Sequence, residues 1–285
     1  MKTTKIILGF VFVLLTFSCN KEDDNSASIT PTEIAMNAKM DIANDDVSKI
    51  VEDQLSANEG ISGKVEAVIS PFLPTCATVT RVPEFGTVLT PGTLITKTIN
   101  FGTTGCALPN GNILKGIIVI SFTFQPNATS HTITYTFNNF FHNAIKFDGT
   151  KNFTRVLATS SANSNIHPIV TMNMDMTATF PNGEVISRVG TRVREIVEGL
   201  STPVWIDNIY EVTGSWVTTF PNGTVQTSTI TSPLRKRMNC PNIVRGIITI
   251  VRNNNTATLD YGVGECDNIA ILTINGTTTT ITLGN

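Results

Sequence analysis

Two segments of seven residues constrain the fold of this chain more than any other feature of its sequence. Residues 177–183 read TATFPNG, and forty positions later residues 217–223 read VTTFPNG. Pro-Asn-Gly is a strong β-turn signal, because proline presets its own φ angle and Asn-Gly tolerates positive φ. Since alternating apolar and polar residues flank both copies, each copy predicts a β-hairpin.

A second pair of similar segments extends this pattern. Residues 115–120 read KGIIVI and residues 245–250 read RGIITI. From Ile61 onward, short alternating runs are separated by Gly, Pro and Asn, and no further stretch has a helical period. The sequence therefore predicts a mainly β fold, in which residues 61–285 form one long antiparallel β-meander with an internal repeat.

The amino-acid composition agrees with a β fold. Thr occurs 44 times and Asn 27 times, whereas Asp, Glu, Lys and Arg together make up 15% of the chain. Thr, Ile and Val favour strands. A coiled coil or helical bundle would need far more Glu, Lys, Leu and Ala, and a disordered chain would carry more charge.

Two related cysteine units lie near the ends of the β body, at residues 76–122 and 240–283. In each unit an aromatic-Gly-x-x-x-Cys segment follows an earlier cysteine, and ten residues later stands another glycine, Gly116 or Gly276. Four cysteines in an oxidising compartment allow three pairings. No CxxC or CxxH spacing supports the alternative of a metal site. The repeat favours two disulfides, Cys76–Cys106 and Cys240–Cys266.

Residues 31–58 form the one helical segment that the sequence predicts. Thr30 suits an N-cap, Glu33 completes a capping box around a first-turn proline, and Gly60 is a natural stop. The apolar positions between them have spacings closer to a helix than to a strand, and we interpret them as a packing face. The weak helix formers at residues 44–46 (NDD) leave open a break into two helices.

The first nineteen residues resemble a bacterial lipoprotein signal peptide. Two lysines precede an apolar run that ends at Leu15, and Ser18 stands directly before Cys19. The run is too short to span a bilayer but has the length of a signal-peptide core. The resemblance implies that residues 1–18 are removed and that Cys19 is lipidated. A plain secreted protein is the alternative.

Residues 19–30 are polar and acidic and should form a flexible tether. The segment NKEDDNS directly behind Cys19 resembles the surface-export signal of Bacteroidota lipoproteins. That resemblance implies a position on the outer face of the outer membrane. The alternative is a solvated tether without a targeting role.

Signals of catalysis are missing from the sequence. The three histidines, His131, His142 and His167, are far apart, and no HExxH, GxSxG or Walker motif occurs. We interpret His142 as a surface residue at a strand end. We therefore predict a protein that is not an enzyme and has no catalytic residues, no metal and no cofactor.

Three carboxylates could hold Ca²⁺ on a tight turn, but a solvated acidic turn is the favoured interpretation: Asp260, Glu265 and Asp267.

Two clusters of side chains are candidates for ligand contacts. Aromatic residues could stack on sugar rings, although a core position is the favoured interpretation: Trp205, Tyr210, Trp216 and Phe220. Arginines could form an anion-binding stripe for an anionic polysaccharide or lipid headgroups, or could merely keep an exposed sheet soluble: Arg188, Arg192, Arg194, Arg235 and Arg237. With a net charge of −2, the chain is not basic enough to predict a nucleic-acid partner.

Taken together, these features resemble the β-rich surface-exposed lipoproteins of Bacteroidota. The resemblance rests on Cys19 and the acidic segment directly after it, on the helix, and on the Gly-x-x-x-Cys units at 102–106 and 262–266. It implies a fold and an outer-membrane, lipid-anchored surface location, but no established activity. We predict a non-catalytic protein that binds an extracellular glycan or another envelope protein. A structural subunit of an envelope assembly and, less favoured, an extracellular polymer hydrolase are the alternatives.

Overall fold

The computed structural model of the protein describes residues 28–56, 72–202 and 205–283. Within these residues, one α-helix, α1 (Pro31–Ser56), precedes all of the strands, which agrees with the prediction of a mainly β fold. The strands are β1 (Thr78–Val82), β2 (Leu94–Asn100), β3 (Cys106–Ala107), β4 (Ile113–Thr123), β5 (Ser130–His142), β6 (Ile145–Ala158), β7 (His167–Thr179), β8 (Val185–Glu198), β9 (Ile209–Thr219), β10 (Val225–Arg237), β11 (Ile243–Arg252), β12 (Asn255–Val263), β13 (Ile269–Ile274) and β14 (Thr277–Thr282).

All of these strands belong to one antiparallel sheet, and their order in the sheet follows the chain from β1 to β14. The two-residue strand β3 lies off this path and pairs with β4. Two Pro-Asn-Gly turns connect β7 to β8 and β9 to β10 with the same hydrogen bond. The N–H of Gly183 donates to the Phe180 carbonyl and that of Gly223 to the Phe220 carbonyl, both at 2.9 Å. The predicted hairpins and the meander are thus confirmed.

Gly116 in β4 and Gly246 in β11 have matching roles. Each has a positive φ, and at each the pairing register with a neighbouring strand shifts. A Cβ on Gly116 would lie 2.0 Å from the carbonyl oxygen of Asn139, and one on Gly246 would lie 2.5 Å from that of Pro233. Gly276, which the sequence comparison aligned with Gly116, lies instead in the turn between β13 and β14. The two glycines that follow the cysteines at the same spacing therefore have different positions relative to their strands.

Helix α1 begins where the sequence predicts. The N–H of Glu33 donates to the hydroxyl of Thr30 at 3.3 Å, and the N–H of Thr30 donates to the Glu33 carboxylate at 3.1 Å, which completes the capping box. The helix continues through residues 44–46 to Ser56 without a break. Polar contacts of these three residues to the sheet compensate for their weak helix propensity.

The sheet curves around α1. Successive helix residues point about 100° apart, and here Asn44 contacts a lysine of β6, Asp45 a lysine of β10 and Asp46 a histidine of β5. Strands that are five positions apart in the sheet therefore reach a single helical turn. The concave face of the sheet encloses the helix.

The apolar core has two parts, and α1 joins them. The larger cluster lies under β2 to β8 and includes Met40, Val47 and Ile50 of the helix. The smaller cluster lies under β9 to β13 and includes Ile34 and Ala38. Each fully buried aliphatic side chain of this size contributes about 1.5–3 kcal/mol to folding. The apolar positions of α1 are thus the packing face that the sequence predicts.

A row of uncharged polar side chains crosses the convex face of the sheet, and we call it the polar row. Its members stand directly opposite one another in twelve successive strands. Within it, the Thr134 hydroxyl donates to Asn152 and the Thr191 hydroxyl donates to Asn173, both at 2.7 Å. The row contains eight of the 44 threonines and no charged residue, in line with the threonine-rich, weakly charged composition. Its members are Thr96, Ser121, Thr134, Asn152, Asn173, Thr191, Ser215, Thr229, Thr249, Thr258, Thr273 and Thr278.

Both predicted disulfides are present. Cys76 pairs with Cys106 across a separation of 30 residues, and Cys240 pairs with Cys266 across 26 residues. The first ties the segment before β1 to β3, and the second ties the β10–β11 connection to the segment before β13. Each bridge therefore closes the chain near one end of the sheet.

Several predictions concern residues outside the described ranges. The signal peptide at 1–18, the lipidated Cys19, the tether up to residue 27 and the helix end after residue 56 all lie there, and they stay predictions. Within residues 28–56, 72–202 and 205–283, no helix combines the length and the apolar character that a membrane span requires.

Candidate binding site around helix α1

Charged side chains of the concave face reach α1 and form a buried ion network. Its centre is Asp41, whose Oδ1 accepts hydrogen bonds from Nη1 of Arg188 and, at 2.5 Å, from Nη2 of Arg192. The side-chain oxygen of Asn37 accepts another from Arg188 at 2.6 Å. Both guanidinium groups lie over the ring of Trp216, 5.2 and 4.1 Å from its centroid. Arg188 is 1% exposed and Arg192 is 5% exposed, so their charges are balanced inside the protein.

The five arginines of the predicted stripe do not share one exposed surface. Those of β8 face the helix, where Arg194 binds Glu52 in the same way that its two neighbours bind Asp41. In β10 the side chains alternate, and Lys236 binds Asp45 of the helix. Arg235 and Arg237 therefore point to the opposite face, where Arg235 pairs with carboxylates of β8 and β9. The predicted anion-binding stripe is wrong because most of its charge is used to hold the helix in the sheet.

Lys151 is a second buried cation of this network. It is 1% exposed, it donates to the side-chain oxygen of Asn44, and its ammonium group lies 5.8 Å from the ring centroids of both Tyr135 and Phe137. Burial lowers its pKa to about 7, and the nearby positive charge of Arg192 adds to this effect. The folded protein therefore holds this lysine at a considerable electrostatic cost.

Asp46 anchors the helix to the sheet on another side. Its carboxylate accepts hydrogen bonds from Nε2 of His142 at 2.9 Å, from Asn110 at 2.9 Å and from Asn112 at 2.7 Å. Burial alone would raise the pKa of Asp46, but the hydrogen bond and charge of His142 outweigh it and lower that pKa. His142 is 3% exposed, so it is not the surface residue that the sequence suggested.

The three histidines lie apart from one another. His131 contacts the carbonyl oxygen of Ala128 at 3.0 Å, and His167 binds the carboxylate of Glu195 at 2.9 Å. Across the described ranges, no group of three His, Cys, Asp or Glu side chains is placed to hold a metal ion. Each histidine thus has a local structural role.

The carboxylates of the second cysteine unit act as turn acceptors. Asp260 Oδ1 accepts from the N–H of Gly262 at 2.8 Å, as Asn100 does from Gly102 at 2.8 Å in the first unit. Asp267 accepts from the N–H of Ile269 at 3.0 Å. The favoured interpretation of an acidic turn therefore describes these residues better than an ion site does.

Several clefts open beside α1, and we name the three with the largest volumes each after one lining residue. The Tyr210 cleft has a volume of about 190 Å³ and lies at the end of the concave face. The Lys49 cleft has a volume of about 330 Å³ and lies against the β10–β11 connection. The His142 cleft has a volume of about 340 Å³ and lies at the β5–β6 and β7–β8 turns. The first two share no lining residue.

Of the aromatic cluster that the sequence singled out, one ring borders a cleft. Trp216 is 2% exposed and Phe220 5% exposed, so both belong to the core, as the favoured interpretation held. Tyr210 is half-buried and lines the Tyr210 cleft. Trp205 begins a short 3-10 turn, and its side chain lies outside the described part of the chain.

Sequence reasoning missed the ion network, although the sequence contains a signal of it. Asn37, Asp41, Asn44 and Ser48 recur at helical spacing on a helix that is otherwise apolar on that side. The sheet side has the same signal, because cations stand at positions where strand alternation calls for apolar residues: Lys97, Lys151, Arg188, Arg192 and Arg252.

Comparison of the chain with protein-family models, with curated proteins and with solved structures finds no match.

Proposed function

We propose that the protein is a non-catalytic, lipid-anchored protein of the bacterial outer membrane that binds an extracellular glycan in the Tyr210 cleft. The lipid anchor rests on the lipobox-like sequence before Cys19 and on the acidic residues behind it. Twelve positions separate Cys19 from the first residue of α1, which is enough chain to hold the sheet away from a membrane surface.

The observation that carries the glycan proposal is the lining of the Tyr210 cleft. The ring of Tyr210 lines this cleft together with planar polar groups, those of His131, Asn208 and Arg155. The guanidinium of Arg194 lies 4.7 Å from the ring centroid of Tyr210 and covers one face of it. A sugar ring, with an apolar C–H face and a hydroxyl rim, would stack on the other face and bond to the polar groups. Such a mixture of apolar surface and a few placed polar groups is typical of ligand sites.

The same lining supports a binding role over a hydrolytic one. Most glycoside hydrolases need two carboxyl groups at a set separation. Glu52 is the one carboxylate among the described residues that line the Tyr210 cleft, and it already binds Arg194. A protein that only binds a glycan does not need a free carboxyl group.

Affinity electrophoresis tests this proposal. The full chain carrying Cys19→Ser is run through native gels that contain neutral or anionic polysaccharides. We expect retardation by one of them, loss of that retardation in Tyr210→Ala, and its retention in Tyr210→Phe, which keeps the ring. Thr229→Ala, on the convex face, is the matched control. Retardation that survives Tyr210→Ala, or uniform mobility across the panel, would refute the site.

The anchor is tested separately in cells. Metabolic labelling with a radioactive fatty acid should mark the wild-type chain and not Cys19→Ser. Protease added to intact cells should degrade the labelled protein if it stands on the outer face. If the wild-type chain is not labelled, the proposal of a lipid anchor is refuted, whereas the glycan-site proposal is unaffected.

Among the described residues, β14 pairs with a strand on one side only, and this edge favours a second candidate function, that of a structural subunit. Residues 277–282 read TTTTIT, without the charged residue or proline that protects most edge strands. An exposed edge of this kind can pair with a strand of another molecule. If it does so, the chain should form concentration-dependent oligomers, and Thr278→Lys with Thr280→Lys should keep it monomeric in light scattering. A wild type that stays monomeric at high concentration would exclude this candidate.

A further inference from the structure

The Lys49 cleft combines apolar walls with a single cationic group. Its walls are formed by Ile50 of the helix, Leu108 and Pro109 before β4, Met238 after β10 and other apolar residues around them. Its volume of about 330 Å³ lies at the lower end of the range for small-molecule sites, which is about 300–1,000 Å³. The shape and the walls suit an aliphatic chain.

Of the two charged groups that line this cleft, Asp46 and Lys49, it is Lys49 that lacks a partner. Within the described ranges, it forms no hydrogen bond or ion pair, whereas the neighbouring Lys236 binds Asp45. Asp46 also lines the cleft, but its oxygens are occupied by His142 and two asparagines. An ammonium group with unused donors therefore borders an apolar space.

The electrostatic surroundings of Lys49 favour the binding of an anion. Burial lowers its pKa to about 8, and the charge of Lys236 lowers it further, while Asp45 and Asp46 act in the opposite direction without restoring the ordinary value. Arg194 adds a further positive charge nearby. A carboxylate placed beside Lys49 would supply the charge-assisted hydrogen bond that this amine lacks.

We infer that the Lys49 cleft binds an aliphatic carboxylate, with the carboxylate on Lys49 and the chain between the apolar walls. The inference is independent of the glycan proposal, because the two clefts share no lining residue. It assigns the protein a second ligand of a different chemical class.

Isothermal titration calorimetry of the full chain carrying Cys19→Ser tests this inference, with dodecanoate as the probe. We expect saturable binding of about one equivalent, and affinity that falls about fourfold for each methylene removed from the probe. Lys49→Met keeps the length and apolar stem of the side chain. It should weaken dodecanoate binding about 10- to 100-fold, the value of one hydrogen bond to a charged group. Dodecanol, which lacks the charge, should bind wild type and variant equally.

A second variant separates the cleft from the charge. Met238→Trp places a larger ring in the cleft and should weaken both dodecanoate and dodecanol, and circular dichroism would verify that each variant is folded. Tyr210→Ala should leave dodecanoate binding unchanged. Binding that neither Lys49→Met nor Met238→Trp weakens, absence of dodecanoate binding, or equal affinity for dodecyltrimethylammonium would overturn the inference.

Discussion

Removing the charge of Asp41 should be among the most damaging single changes in this protein. Asp41→Asn keeps the shape of the side chain, but it leaves Arg188 and Arg192 buried without their shared anion. The side chains of these arginines are 0% and 6% exposed, so water cannot replace the lost carboxylate. At an effective dielectric constant of about 20, each ion pair at roughly 4 Å is worth about 4 kcal/mol. Part of this is recovered by relaxation, and we expect the free energy of unfolding to fall by about 3–5 kcal/mol, as for other broken buried pairs.

Urea unfolding followed by far-ultraviolet circular dichroism measures this change. Asp148→Asn is the matched control, since Lys146 and Asp148 are 2.8 Å apart but 37% and 47% exposed. Such exposed pairs contribute about 0–1 kcal/mol. Adding Arg192→Met to Asp41→Asn should recover part of the loss, because it removes one of the unpaired cations. A loss below about 1 kcal/mol for Asp41→Asn, equal to that of the control, would refute the claim that the network holds the helix in the sheet.

Three further predictions follow from the same structure. The pKa of Lys151 is about 7 in the folded protein and 10.5 in the unfolded chain, so the unfolded chain binds more protons between these pH values. The free energy of unfolding in urea should therefore rise between pH 7 and 9, and Lys151→Met should flatten that rise. Replacing Cys240 and Cys266 by serine should lower the free energy of unfolding by about 3 kcal/mol. If a reductant, which also breaks Cys76–Cys106, does not lower it further, the Cys76–Cys106 bridge does not stabilise the fold. Gly116→Ala and Gly183→Ala both strain a positive φ, which costs about 1–2 kcal/mol, but only Gly116→Ala creates a backbone clash. The melting temperature should therefore fall clearly more in Gly116→Ala than in Gly183→Ala. Equal decreases would contradict the register shift described at Gly116.

The sequence predicted the sheet well because every strand except the two-residue β3 follows the order of the chain in the sheet. Pro-Asn-Gly turns and alternating patterns are local signals, and a meander needs little else. The helix start at Thr30 followed from a local signal of the same kind, whereas the disulfides followed from the repeat of the two cysteine units. A spacing of ten residues after a cysteine does not distinguish a glycine inside a strand, such as Gly116, from one in a turn, such as Gly276.

The surroundings of α1 could not be predicted in the same way. Nothing in the sequence near Asp41 indicates that Arg188, 147 positions later, turns its side chain inward. The arginines of β8 share a strand face as expected, but which face points to the helix depends on the curvature of the whole sheet. Arginine is so often exposed that the sequence pattern alone favours a solvent-facing position for these side chains.

The position of α1 also has a consequence for the order of folding. Each strand can pair as soon as its predecessor has formed, so the sheet can grow in steps of low contact order. The helix is made first but gains its last partner late, because Arg252 of β11 binds the carboxylate of Glu33 at 2.9 Å and the carbonyl oxygen of Ser28 across 224 positions. Until that strand has been synthesised, the carboxylates of the helix have only some of their cations. The last third of the chain therefore controls when the first element becomes stable, and a nascent chain must carry this helix without all of its partners.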